Sequence, residues 1–104
     1  MPEYVAKPGQ RAAVKEREKV ERPRRYKVLL HNDDYTTMDF VVEVLEDVFR
    51  RPRPDAVRIM LNVHEHGIGV AGVYVKPVAE AKVDTAHKLA RECGYPLRCS
   101  IQRE

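Results

Sequence analysis

Residues Tyr26–Phe49 read YKVLLHNDDYTTMDFVVEVLEDVF and contain the pattern that decides the fold. A short apolar run, Val28-Leu29-Leu30, ends in the polar tetrad His31-Asn32-Asp33-Asp34, and apolar residues then recur at helical spacing. This pattern predicts a strand over Tyr26–His31, an acidic elbow, and an amphipathic helix over about Met38–Arg50. The elbow therefore presents side-chain oxygens beside an apolar helix, which suits a small cation carried on an apolar group.

The start of the first helix has two candidate capping residues. Thr36 and Thr37 both stand where an N-cap is needed, and Asp39 follows Thr36 by three residues, as in a capping box. The same stretch also suits a plain turn before a helix, because Asn and Asp are common turn residues.

The rest of the chain predicts two more helices and two more strands. The expected elements are a helix over about Pro54–His66 ended by Gly67, a strand over Ile68–Val75, a helix from Pro77 to Cys93 ended by Gly94, and a final alternating strand that begins at Leu97. The order β-α-α-β-α-β predicts an α+β sandwich, with three helices packed on a three-stranded antiparallel sheet.

The chain has 104 residues and a net charge of +3, but the excess of positive over negative charge comes only from its first quarter. Residues 1–25 hold eight Lys and Arg against four Glu, whereas residues 26–104 hold eleven against twelve Asp and Glu. With Pro2, Pro8, Gly9 and Pro23 and no apolar period, residues 1–25 are expected to form a mobile basic arm. Residues 26–104 form one domain, and their charge balance argues against a nucleic-acid partner.

The two cysteines and the apolar runs bear on the cellular compartment. Cys93 and Cys99 are six residues apart without a CxxC spacing, which favours reduced thiols in the core over a disulfide. The chain opens with polar and charged residues rather than a signal pattern, and its apolar runs are far too short for a membrane span. We expect a cytoplasmic protein with no membrane partner.

A binding site is predicted where the elbow and the end of the second helix can meet. An amide oxygen from Asn32, carboxylates from Asp33 and Asp34, and an imidazole nitrogen from His64 could converge there. Acceptors without a nearby Lys or Arg call for a guest that only donates, and an α-ammonium group has three N–H donors. His64 must be neutral to accept, so binding is expected to weaken at acid pH.

Apolar residues near these acceptors predict a pocket for a side chain. Met38 and Val41 begin the first helix, Met60 and Val63 precede His64, and Leu97 opens the last strand. Thioethers adapt to varied shapes, and burying a guest of Leu or Phe size would contribute about 1.5–3 kcal/mol. The alternative is that these residues are ordinary core.

Several motifs of the chain resemble the ClpS family, whose members are adaptors that deliver proteins with destabilising N-terminal residues to an AAA+ protease. The resemblance runs from about Tyr26 to the C-terminus with nearly unchanged spacing. It is carried by HNDDYT (31–36) with Met38, MLNVH (60–64), GVY (72–74), AEAK (79–82) and GYPLRC (94–99).

The resemblance implies roles for the residues of the predicted site. Asn32, Asp34 and His64 would hold the α-amine of the substrate, and Asp33 is included in that set. The pocket for an N-terminal Leu, Phe, Tyr or Trp would be lined by Thr36, Met38, Val41, Met60, Val63 and Leu97. Met38 would also act as a gate against β-branched side chains.

The resemblance further implies a partner, the N-terminal domain of a ClpA- or ClpC-type AAA+ unfoldase. Lys82 matches a common docking residue of the family, and the N-terminal arm would be engaged by the unfoldase during delivery. Pro77 stands where many members have an acidic residue, and Thr37 where proline is more frequent. The protein is expected to act as a monomer, without a cofactor or metal and without catalytic residues.

Two other kinds of protein could use some of the same residues. In a metal-dependent hydrolase the ligands would be His31, Asp33, Asp34, His64 and His66. However, residues two apart lie about 200° around the helix axis from each other, on nearly opposite faces, so His64 and His66 cannot share a metal. No HExxH, GxSxG or P-loop motif is present. If the protein is instead a nucleic-acid or ribosome-binding module, residues 1–25 should bind the nucleic acid, and the affinity should fall steeply with salt concentration.

Overall fold

The structure is a computed structural model and describes residues 22–104. Six elements follow one another along the chain: β1 (Arg25–His31), α1 (Met38–Asp47), α2 (Arg53–His66), β2 (Ile68–Val75), α3 (Lys76–Cys93) and β3 (Arg98–Arg103). The predicted α+β architecture, three helices on a three-stranded antiparallel sheet, is confirmed.

The sheet has the strand order β2-β1-β3, and both neighbours of β1 run antiparallel to it. The register pairs His31 at the end of β1 with Ile68 on one side and Arg98 on the other. It shifts between Val28 and Leu29, where β2 carries an extra residue, as in a β-bulge. The end of β1 therefore lies beside the start of β2, next to the last turn of α2.

The core lies between the helices and the sheet and is made almost wholly of aliphatic side chains. Val28 and Leu30 of β1, together with Val44 and Leu45 of α1, are fully inaccessible to solvent. From α3, small alanines face the core and let that helix approach the sheet closely. In addition, the Cys99 N–H donates a hydrogen bond of 2.9 Å to Nε2 of His87, which joins α3 to β3.

The first helix ends at Asp47, three residues earlier than the apolar period predicts. Val48 is its C-cap, and Arg50 adopts a left-handed φ of 56°. The Lys82 ammonium of α3 donates a hydrogen bond of 2.7 Å to the carbonyl oxygen of Val48. Pro52, four residues after Val48, has no N–H that could bond this carbonyl in a longer helix, so Lys82 supplies the donor while Val48 and Phe49 stay buried.

The predicted capping box at Thr36 is wrong, and Thr37 caps α1. The Thr37 hydroxyl oxygen accepts a hydrogen bond of 3.1 Å from the Phe40 N–H. The Thr36 hydroxyl instead donates to Asp33 in the elbow. A neighbouring carboxylate therefore competes successfully for the first threonine and leaves the second to cap the helix.

The predicted N-terminal arm lies almost entirely outside the described residues, so its conformation stays a prediction. Of residues 1–25 only the last four are described: residues 22–24 are exposed and irregular, and Arg25 already belongs to β1. Within residues 22–104 no helix is both long and apolar enough to span a membrane. Both cysteines are free, and Cys99 is buried as predicted for a core thiol, but the same prediction is wrong for Cys93, which is exposed at the end of α3.

Candidate functional site

An open cavity of roughly 380 Å³ lies between the helices α1 and α2 and the elbow, which is the segment 32–37 that joins β1 to α1. Its volume falls within the range of about 300–1,000 Å³ that is typical of ligand pockets. The lining residues are Asn32, Asp33, Asp34, Tyr35, Thr36, Thr37, Met38, Val41, Met60, Val63 and His64. Nine of the ten residues predicted for the amine and side-chain site are therefore brought together.

Backbone geometry brings the elbow and α2 together. Helix α2 ends at Gly67, whose left-handed φ of 86° turns the chain directly into β2. The Asn32 N–H donates a hydrogen bond of 2.9 Å to the Gly67 carbonyl oxygen. The elbow is thereby fixed beside the last turn of α2, which carries His64.

Three side chains that line the cavity have acceptor atoms without an internal partner. Asn32, Asp34 and His64 are all exposed, and no side-chain hydrogen bond or ion pair of theirs is present within residues 22–104. An amide oxygen, a carboxylate and an imidazole nitrogen can accept hydrogen bonds from an ammonium group. These residues are therefore suited to a cation with several N–H donors.

Asp33 behaves differently from the other acceptors, because its carboxylate is occupied by the elbow itself. Oδ1 accepts hydrogen bonds from the N–H groups of Tyr35 (2.8 Å) and Thr36 (2.7 Å), and Oδ2 accepts one from the Thr36 hydroxyl (2.7 Å). Burial alone would raise the pKa of Asp33, but these hydrogen bonds outweigh burial and lower it below its ordinary value. Asp33 is thus ionised at neutral pH and stabilised internally.

The apolar residues that line the cavity differ in how deeply they are buried. Val41 of α1 and Val63 of α2 are almost fully buried. Met60 is half-buried, and Met38 is 43% exposed at the rim. Since methionine side chains are unbranched and flexible, the two thioethers can adjust to the shape of an apolar guest.

Leu97 is the one predicted pocket residue that does not line the cavity. It precedes β3, is 5% exposed, and belongs to the core cluster that also contains Phe40 and Val41. Its apolar side chain therefore belongs to the core rather than to the lining of the cavity.

Two residues that line the cavity were not predicted. Tyr35 and Thr37 contribute to its rim, and Tyr35 is 78% exposed. The sequence could have indicated them only by their position, because both lie between the predicted site residues Asp34 and Met38. Whether a side chain of an elbow points into a cavity depends on the turn geometry, however, and composition does not reveal it.

The histidines considered for a metal site do not come together. His31 faces β3, where its Nε2 lies 2.6 Å from the Ser100 hydroxyl oxygen and its Nδ1 lies 3.3 Å from the Arg98 guanidinium. Burial and then the charge of Arg98 lower the pKa of His31, so the imidazole is neutral at pH 7. In the described part of the chain no group of three or more His, Cys, Asp or Glu could hold a metal ion.

A second concave surface, the α1–α3 groove, lies away from the cavity and contains Lys82. The groove is lined by Asp47, Val48, Arg50, Pro77, Val78, Ala81, Lys82 and Thr85. The Lys82 ammonium lies 5.4 Å from the centre of the Tyr74 ring, in addition to its hydrogen bond to Val48. Val78 is 42% exposed and provides an apolar contact on this surface.

Comparisons with known proteins agree with this architecture. Residues 21–100 match the sequence profile of the family described as "ATP-dependent Clp protease adaptor protein ClpS". An ATP-dependent Clp protease adapter protein ClpS of Desulfatibacillum aliphaticivorans is 61% identical over 87 residues, which cover 84% of each chain. The ClpS protein of Lawsonia intracellularis is 60% identical over 85 residues, which cover 82% of this chain and 78% of the relative.

A solved structure is also similar to this fold. The structure of Agrobacterium tumefaciens ClpS2 bound to L-phenylalaninamide superposes with a TM-score of 0.76 at 41% sequence identity, covering 80% of this chain and all of the other. Fold and sequence together define the class of protein, an adaptor of an ATP-dependent Clp protease. Within that class, the chain belongs to the ClpS family.

Proposed function

We propose that this adaptor binds the N-terminal residue of other proteins in the cavity between the elbow and α2. The observation that carries the proposal is the mixed chemistry of the residues that line one cavity. Acceptors on Asn32, Asp34 and His64, which have no side-chain partner within residues 22–104, line the same cavity as the apolar side chains of Val41, Val63 and the two methionines. An N-terminal residue has the matching pair of groups, an ammonium ion and a side chain on the same carbon atom.

The energetics favour large apolar N-terminal residues, namely Leu, Phe, Tyr and Trp. Each charge-assisted hydrogen bond to the ammonium contributes roughly 1.5–3 kcal/mol, and burial of a large apolar side chain contributes about as much again. The related protein of Agrobacterium tumefaciens binds L-phenylalaninamide, which has a free α-amine and a phenyl side chain. Its 41% identity and similar fold support the same chemistry here.

A pair of peptides tests this proposal directly. A peptide with a free N-terminal Phe is expected to bind, whereas its N-acetylated twin is not, because acetylation removes both the charge and two of the donors. Fluorescence anisotropy with a C-terminal label measures both affinities. Equal binding of the two peptides would show that the cavity does not recognise the amine. A series that differs only in the first residue then gives the side-chain preference.

Delivery requires a second surface, and the α1–α3 groove is proposed for docking to the N-terminal domain of a ClpA- or ClpC-type AAA+ unfoldase. A Clp protease partner follows from the family. The groove is separate from the cavity, so substrate and unfoldase can be bound by the same monomer at once. Its exposed Val78 beside Asp47 and Arg50 offers an apolar contact flanked by charges.

The chain offers a matched pair of variants for the docking surface. Val78→Glu introduces a charge into the groove, and Leu61→Glu introduces one on α2 outside both concave surfaces; both side chains are 42% exposed. Val78→Glu is expected to weaken binding to the isolated unfoldase domain at least about tenfold, while Leu61→Glu has little effect. Both variants should bind the Phe peptide normally. Equal effects on docking would exclude the groove.

A further inference from the structure

Asp33 and Asp34 are adjacent acids of the elbow, but the structure uses their carboxylates in opposite ways. Both oxygens of Asp33 are occupied by hydrogen bonds from Tyr35 and Thr36, at 2.7–2.8 Å. The Asp34 carboxylate is exposed at the cavity and accepts no hydrogen bond from any residue between 22 and 104. The Asp33 carboxylate is thus occupied by contacts within the elbow, whereas the Asp34 carboxylate can accept hydrogen bonds from a ligand.

The hydrogen bonds of Asp33 fix the path of the elbow. An aspartate oxygen that accepts from the N–H groups two and three residues onward closes a tight turn. The second oxygen holds the Thr36 hydroxyl, and the next residue, Thr37, caps α1. With Asn32 joined to Gly67 on the other side, the chain is held both before and after Asp34.

From these contacts we infer that Asp33 is a positioning residue, which shapes the elbow so that the Asp34 carboxylate meets the substrate ammonium. The inference rests on the proposed function, because it assigns roles within the same cavity. It separates two residues that the sequence alone groups together as amine ligands. Asp33 acts through geometry, and Asp34 acts through charge.

Two substitutions at position 33 separate geometry from charge. Asp33→Asn removes the charge, but its amide oxygen can still accept from both N–H groups and its NH₂ group can donate to the Thr36 hydroxyl oxygen. Asp33→Glu keeps the charge, but the longer side chain cannot close the same turn. If Asp33 positions the elbow, the uncharged variant retains binding and the charged variant loses it.

The experiment measures affinity for a fluorescent peptide with a free N-terminal Phe, with its acetylated twin as the control. Asp33→Asn is expected to bind within about threefold of the wild type, and Asp33→Glu about tenfold more weakly or worse. Asp34→Asn, which removes the free carboxylate, should also lose about tenfold or more. Proton–nitrogen NMR spectra should show displaced Tyr35 and Thr36 amide resonances in Asp33→Glu and near-native ones in Asp34→Asn.

Every other pattern of results overturns the inference. If Asp33→Asn loses binding as Asp34→Asn does, Asp33 acts by its charge. This conclusion does not depend on the affinity of Asp33→Glu. If both variants at position 33 bind normally, the internal hydrogen bonds do not position the site. Thermal unfolding of each variant checks the fold, and should Asp33→Glu fail to fold, the comparison of Asp33→Asn with Asp34→Asn still decides. Failure of the proposed function looks different: the wild-type protein itself would not distinguish the free from the acetylated peptide.

Discussion

Exposure divides the residues of the cavity into those that can bind a guest and those that maintain its shape. Asn32, Asp34 and His64 are exposed and have no side-chain partner within residues 22–104, so a ligand can satisfy their acceptors. Val41 and Val63 are buried, and any change there alters the core as well as the cavity. Substitutions of the exposed group should therefore affect binding without affecting the fold.

Asp34→Ala and His64→Ala are each expected to weaken binding of an N-terminal Phe peptide by about tenfold to a hundredfold, because each removes an acceptor for the ammonium. The free energy of unfolding should change by no more than about 0.5 kcal/mol, since both side chains are exposed. Anisotropy titrations and urea denaturation measure the two quantities. His66→Ala is the matched control, because His66 is exposed on the same helix but does not line the cavity. Unfolding of either site variant would assign the residue a structural role instead.

Met38→Ala is expected to broaden the accepted N-terminal residues toward Ile and Val. Met38 is 43% exposed at the cavity rim, and its removal gives room for branching at the guest Cβ. The ratio of affinities for Ile and Phe peptides measures the effect. Met60→Ala, which changes the half-buried wall, should weaken Phe binding without favouring Ile. An unchanged ratio in Met38→Ala would exclude a gating role for this side chain.

At the scale of elements, α3 supplies a hydrogen-bond donor that the end of α1 lacks. The apolar period continues through Val48 and Phe49, and both residues are buried, yet the helix stops at Asp47. Pro52, four residues after Val48, has no N–H to donate to the Val48 carbonyl, so Lys82 is its donor, and Arg50 with its positive φ redirects the chain toward α2. Lys82 therefore has a structural contact in addition to the docking role that the family resemblance implies.

Lys82→Met is expected to lower the free energy of unfolding by about 1–3 kcal/mol, because it leaves the partly buried Val48 carbonyl without its donor. Urea denaturation monitored by circular dichroism measures the loss. Lys88→Met provides the control, since Lys88 is exposed on the same helix and should change stability by less than about 0.5 kcal/mol. If both variants were equally stable, the hydrogen bond would contribute nothing, and Lys82 would be free to act on a partner.

At the scale of the whole molecule, the two cysteines report on the integrity of the fold. Cys93 is exposed at the end of α3, whereas Cys99 is 5% exposed in β3. Burial raises the pKa of Cys99 from 9.0 to about 12. Since the thiolate is the reactive form, the folded protein protects Cys99 by both access and ionisation.

A thiol reagent at pH 8 is therefore expected to modify Cys93 rapidly and Cys99 only after global unfolding; Cys93→Ala should abolish the rapid phase.

The raised pKa of Cys99 also links the stability of the protein to pH. The contribution of Cys99 is fully present below the unfolded pKa of about 9 and is lost as the pH rises toward about 12. Unfolding in urea between pH 8 and pH 10.5 should show this loss, and Cys99→Ala should reduce it, leaving the smaller effect of Tyr74, whose pKa burial also raises. An identical slope in Cys99→Ala would contradict the linkage.

Local patterns were sufficient to predict the elements of the fold. Strand β2 matches the prediction residue for residue, and the glycines Gly67 and Gly94 end α2 and α3 as expected. These features are set by residues close together in sequence: apolar periodicity and positions that require a left-handed φ. The predicted end of α1 and the capping box at Thr36 were wrong, whereas the other predicted cap, Thr37, is the observed one. The Arg51 N–H turns back to the Leu45 carbonyl oxygen at 3.0 Å, and the Asp33 carboxylate accepts the Thr36 hydroxyl.

The sequence by itself determined the element order, the core faces and the chemical types gathered near the elbow. Only the tertiary structure decided which side chains share the cavity and that Leu97 lies in the core. It also decided that, among residues 22–104, the Asp33 carboxylate has hydrogen-bond donors while that of Asp34 has none. The physical reason is the range of the interactions. Periodicity acts over a few residues, whereas the cavity depends on the antiparallel register of β1 with β2 and on the hydrogen bond from Asn32 to Gly67, which join segments far apart in the chain.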